Sequence, residues 1–104
     1  MTVLALGTTA VADLRAAREY YDAAESGLSR RLDEALAELF ARLETFPRSA
    51  PPVAGYEDVR RAVVRGFPYV VFYRHRPGRI DVLRVLHAAR SDADRSSGPD
   101  VGSP

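Results

Sequence analysis

The chain has no cysteine and no lysine, and only two histidines, His75 and His87. No apolar run approaches the roughly 20 residues that a membrane helix requires. Each absence closes a class of function. Without cysteine there is no disulfide framework, no thiol nucleophile and no zinc–thiolate centre. Two histidines are too few for a histidine-built metal centre, so no metal and no other cofactor is expected. All fifteen cationic side chains are arginines, and any mechanism that calls for a lysine is closed. The start, Met1 to Gly7, lacks the basic region and long apolar stretch of a secretory signal, which gives the expectation of a cytoplasmic protein with no membrane partner. The sequence also has no Gly-rich phosphate loop, no Ser-His-Asp order, and no HExxH or EF-hand spacing.

What is present is an uneven distribution of charge. Between Val59 and Arg90 eight arginines face one acid, Asp81, whereas from Ala10 to Phe46 eight acids face five arginines. The formal net charge of +1 conceals this segregation. A basic surface borne on strands suits an anionic partner, nucleic acid or an acidic protein segment. Taken singly, each arginine is better explained as the solvated face or edge of a sheet.

At 104 residues the chain is long enough for one core and too short for two. Val3, Leu4 and Leu6 predict a short first strand, and Gly7-Thr8-Thr9 a turn into a helix with Asp13 in its first turn, favoured there by the dipole. Ala10, Leu14, Ala17, Tyr21 and Ala24 recur at alternating spacings of four and three, one stripe of an amphipathic helix. Gly27 suits a left-handed terminator, and Ser26 or Ser29 a cap for a second helix. Leu32, Ala35, Leu36, Leu39, Phe40, Leu43 and Phe46 form the apolar face of that helix, which Pro47 stops.

Residues 48–58, rich in proline, predict a surface connection without regular structure. Three strands follow, near 59–64, 69–74 and 80–86, with Arg76-Pro77-Gly78-Arg79 as the last turn. The order β-α-α-β-β-β predicts an α+β fold, a helical hairpin packed on an antiparallel four-stranded sheet. Residues 1–90 form the single domain. Residues 91–104 turn to Ser, Gly, Asp and Pro, the composition of a disordered tail.

Several segments together resemble the RelE/ParE superfamily of bacterial type II toxins. They are Ala12-Asp13-Leu14, the Tyr20-Tyr21 pair, Leu39, Leu43 and Pro47, then Val59-Arg60-Arg61, the run Phe67 to Tyr73, and Val82 to Arg90 ending in His-x-x-Arg. The resemblance spans roughly residues 3 to 92 and is closest to the ParE-like branch. It implies a growth-arresting toxin neutralised by a cognate antitoxin, reaching operator DNA only indirectly through that antitoxin.

Two activities share this fold. ParE-like members poison DNA gyrase by binding; RelE-like members are endoribonucleases that cut messenger RNA on the ribosome. The nuclease pattern is weakened here by the missing lysine, by the absence of tyrosine after Tyr73, and by Val70 where an arginine belongs. The resemblance therefore implies gyrase inhibition first, with ribosome-dependent RNA cleavage or an inactive antitoxin-binding relative as alternatives. Target-binding residues would be Arg60, Arg61, Arg84, His87 and Arg90, and antitoxin-binding residues Tyr21, Leu28, Leu32 and Phe72. Were the protein a ribonuclease, His87 and Arg84 would carry catalysis, since imidazole titrates near neutrality and guanidinium binds phosphate. A structural role for His87, ordering the strand end, is the favoured reading. Arg60 and Arg61 point to opposite faces of their strand, so only one of them can serve a given surface.

Overall fold

The structure, a computed structural model, describes residues 2–89. Its elements are β1 (Val3–Leu6), α1 (Thr8–Ala24), α2 (Leu28–Thr45), β2 (Val59–Val63), β3 (Tyr69–Arg76) and β4 (Arg79–His87). This is the predicted order, two helices packed on one four-stranded sheet. The expected tail, 91–104, lies outside the described residues.

The sheet runs β1-β4-β3-β2. β2, β3 and β4 form the expected antiparallel meander. β1, however, is parallel to β4, so the sheet is mixed and the expectation of an antiparallel one is corrected. The reason is parity. The connection after α2 delivers the chain to β2 in the direction of β1, and two reversals then leave β4 running the same way. Parallel neighbours need a long connection, and here it comprises the helical hairpin, the segment behind it, β2 and β3.

Both faces of the sheet are covered, which explains the unbroken apolar run in β3. Val71 and Tyr73 join Ala10, Ala17, Leu32, Leu36, Leu39 and Leu43 in the main core beneath the helices. Val70 and Phe72 turn to the other face, where Val59 and Leu86 join them under Val53 and Tyr56. The segment 48–58 is thus more than a surface connection. Val53 donates its N–H to the Val59 carbonyl at 2.9 Å, and Arg61 donates to Pro51 at 3.0 Å. Arg60 Nη1 fixes the same segment through the Ala50 carbonyl at 2.7 Å, and Tyr73 donates its hydroxyl to Pro47 at 2.6 Å.

The helix ends differ from the sequence pattern. α1 starts at Thr8 with Gly7 as N-cap and no side-chain cap, which puts Asp13 in the second turn. Gly7 sits where β1 passes into α1 against β4: its N–H donates to Val82 at 3.0 Å, and a Cβ there would meet that carbonyl oxygen at 3.2 Å. Gly27, at φ 89°, makes the left-handed corner between the helices. Ser29 lies within α2 and its hydroxyl hydrogen-bonds Asp22, tying the hairpin together. Phe46 leaves the apolar stripe because its backbone is no longer helical, and it is 63% exposed.

Candidate functional site

The end of the sheet where β3 begins and β4 finishes is built by an irregularity. Phe72 pairs with Arg84 and Tyr73 with Val82, so Leu83 is an extra residue and β4 bulges there. β1 ends at Leu6 opposite Val82, and beyond that point β4 has no strand on its outer side. Asp13 of α1 fills the gap. Its Oδ2 accepts from the Val85 N–H at 2.9 Å and from Arg84 Nε at 2.8 Å, while Oδ1 accepts from Arg84 Nη2 at 3.1 Å. The two side chains are only 20% and 13% exposed, so this charge pair is largely shielded from water and bidentate.

A chain of edge-to-face aromatic contacts runs beside that pair. Tyr20 meets Tyr21 at 5.2 Å between centroids, Tyr21 meets Phe67 at 5.4 Å and Tyr69 at 6.1 Å, and Tyr69 meets His87 at 5.5 Å. Burial, with a smaller contribution from Tyr20, pushes the Tyr21 phenol above its ordinary pKa. Asp13, Ala17, Tyr20, Tyr69, Val85 and His87 line a pocket of about 350 Å³. The His87 ring is exposed at its rim. Its Nδ1 accepts from the Ala89 N–H at 3.2 Å, so the neutral imidazole carries its proton on Nε2. Among the described residues no three His, Asp or Glu side chains gather in a way that would hold a metal ion.

The expected target-binding residues do not converge. Arg60 and Arg61 pair with Tyr73 and Phe72, whereas His87 pairs with Tyr69. That offset of three to four residues along β3 is about 10–13 Å. Arg60 turns toward the helical side and is held by the Ala50 and Arg48 carbonyls at 2.7 and 3.4 Å. Arg61 turns to the opposite face, as strand alternation requires. Arg84 lies close to His87 in sequence but is bound to Asp13. Arg90 lies outside the described residues.

Of the residues assigned to the antitoxin, Tyr21 and Leu28 are half-buried and offer surface. Leu32 is fully buried and Phe72 is 5% exposed, so both belong to the two cores and present nothing to a partner in this state. Sequence reading missed the role of Asp13. The signal was available: an acid sits at the helical spacing of Ala10, Leu14 and Ala17, inside an apolar stripe, where it needs a buried partner.

Comparison with known proteins agrees with this architecture. A family model described as "ParE toxin of type II toxin-antitoxin system, parDE" matches residues 4–92. Among solved structures, a chain of "Chromosomal ParDE TA system from P. aeruginosa" superposes with a TM-score of 0.71 at 20% identity. The match covers 84% of this chain and 96% of that one. At that identity the likeness speaks for the fold alone. No curated protein matches.

Proposed function

The chain belongs to the ParE toxin family of type II toxin–antitoxin systems, and from that premise we propose that it arrests growth by binding DNA gyrase and is held inactive by a cognate antitoxin. The observation that carries binding over cleavage is the engagement of Arg84. A nuclease at the His87 end needs a guanidinium aimed at the scissile phosphate, and Arg84 instead gives Nε and Nη2 to Asp13. Arg60 is held by backbone carbonyls some distance away. Among the described residues His87 sits beside the Tyr69 ring, with Arg84 and Arg60 both engaged elsewhere, a surface fitted to docking.

The antitoxin would cross the helical hairpin, touching Tyr21 and Leu28, and add a strand to the sheet. β1 is the edge that can accept it. The outer edge of β2 is already taken at 51–53 by the chain's own connection, whereas β1 pairs only with β4. Acidic side chains on the antitoxin segment would complement the arginines of the sheet. The antitoxin supplies the recognition of operator DNA, and the complex resides in the cytoplasm, where gyrase acts. No helix among the described residues is long and apolar enough to cross a membrane.

The test is induction of the toxin without its antitoxin, following gyrase-dependent DNA breakage and cleavage of translated messenger RNA in parallel. Broken DNA with intact transcripts is the expected result. Codon-phased transcript cleavage with undamaged DNA would overturn it. Unimpaired growth with retained antitoxin binding would mark an inactive relative.

A further inference from the structure

At the opposite end of the sheet, around the β3–β4 turn, arginines gather on the face away from the helices. Val71 and Tyr73 face the helices, so alternation turns Phe72, Arg74 and Arg76 to the other side. Arg61 pairs with Phe72, Asp81 with Arg74, and Arg79 with Arg76, so all three share that side. Arg74 to Arg76 is about 7 Å along the strand, and Arg76 to Arg79 about 5 Å across it.

The acids nearby already have partners. Asp81 takes Nε of Arg79 at 2.9 and 3.2 Å, and Asp58 lies 3.8 Å from Nε of Arg76. Arg74 sits directly opposite Asp81, yet its Nε is shielded from solvent and donates to no partner among the described residues. A guanidinium with a buried, unpartnered N–H carries a desolvation cost that an anion drawn to the same side chain would offset.

The rest of this face limits what that anion can be. The apolar side chains Val59, Val70, Phe72 and Leu86 are already covered by Val53 and Tyr56. An exposed apolar side chain on this face, Val63, pairs with Val70, four residues along β3 from Arg74 and so about 13 Å away. The patch around Arg74 therefore has charge without an uncovered apolar anchor beside it, the feature that protein partners use as a hot spot. The exposed aromatic residues among those described, Tyr20 and Phe46, belong to α1 and to the end of α2. The ring that does lie on this face, Tyr56, is half-buried against the Val59, Val70, Phe72 and Leu86 cluster, so no fully exposed ring stands here to stack unpaired bases. A duplex phosphate backbone asks for neither. We propose that this face is a second binding surface, taking the phosphates of double-stranded DNA without reading sequence, with Arg74 at its centre and Arg76 and Arg79 beside it. The complex with its antitoxin would then touch DNA through both components.

The test is fluorescence anisotropy of a labelled duplex, about one helical turn or two in length, titrated with the full chain between 50 and 200 mM salt. With three phosphates neutralised the logarithmic salt slope is about −2.7, which lowers affinity roughly 40-fold across that range. Arg74→Gln and Arg76→Gln should each reduce the slope by about one, while Arg74→Lys, which keeps the charge, holds most of it. Arg30→Gln, on the exposed side of α2, should change nothing. Circular dichroism on each variant separates lost binding from lost folding, and Arg76→Gln carries the test if Arg74→Gln does not fold. No binding at 50 mM salt, or a slope unaffected by both glutamine variants, would overturn the proposal. Polyglutamate binding as tightly as the duplex at equal charge concentration would overturn it too, in favour of an acidic protein segment.

Discussion

Arg84 and Asp13, 71 positions apart, meet through two nitrogens at 2.8 and 3.1 Å. The same carboxylate accepts the N–H of Val85, the backbone group that β1 is too short to pair. One side chain thus closes an ion pair and completes a strand edge, joining the first helix to the last strand.

Asp13→Ala should therefore destabilise the fold by about 3–5 kcal/mol, since it leaves a largely shielded guanidinium and a backbone donor without an acceptor. Asp13→Asn keeps an oxygen for Val85 and should cost less. Urea denaturation of both variants checks this. Equal losses in the two would mean that the Val85 bond contributes nothing, and a loss under 1 kcal/mol for Asp13→Ala would mean that water replaces the carboxylate.

Periodicity and turn chemistry made the element order legible, because the stripes of α1 and α2 and the Pro-Gly turn are local signals. The parallel pairing of β1 with β4 was not legible, since it depends on where a long connection sets the chain down. Leu32 and Phe72 read from sequence as candidate contact residues, yet an apolar residue on a stripe or in a central strand is first a core residue. Asp13 read as a dipole acid because helix starts are uncertain by a turn, and shifting the start to Thr8 turned a surface acid into a buried partner. Arg60 and Arg61 were separable by alternation alone. Their distance from His87 required the register.

Tyr73 gives a signature at alkaline pH. Burial raises its phenol pKa above the ordinary value, against partial opposition from the positive charge of Arg60. A raised folded-state value means that the stabilisation is complete below the unfolded value of about 10 and is lost as pH climbs through the folded one. Wild-type Tm should therefore fall above about pH 10. Tyr73→Phe should cost about 1 kcal/mol at pH 7, because the Pro47 carbonyl loses its donor, but it should fall less steeply in alkali. Thermal melts from pH 7 to 11 compare the slopes, and parallel curves would show that the buried phenol is not the titrating group.

His87→Ala bears on mechanism. The ring packs on Tyr69 and accepts one backbone N–H near the surface, so its removal should cost stability no more than about 1 kcal/mol. For a gyrase-binding toxin, growth arrest should persist within a few-fold when expression is matched. General acid–base catalysis would instead lose about 10²–10⁴-fold. Colony counts after graded induction distinguish the two. Abolished toxicity in a folded variant that still binds the antitoxin would transfer the weight to RNA cleavage.

The open edge of β1 yields the last prediction. Val3 and Gly7 donate inward to Gly78 and Val82, so alternation directs the N–H groups of Leu4 and Leu6 away from the sheet, where an added strand would meet them. Leu6→Pro removes one such donor while leaving the bonds to β4 intact, the edge position at which a strand tolerates proline. A lost backbone hydrogen bond of about 1–1.5 kcal/mol corresponds to roughly tenfold weaker antitoxin binding. Val63→Pro on β2 serves as the contrast, because the chain itself covers much of that edge and Val63 is only its uncovered end. Isothermal titration with the purified antitoxin reads both. A tenfold loss for Leu6→Pro with little change for Val63→Pro assigns the strand to β1, and the reverse pattern would move it to β2.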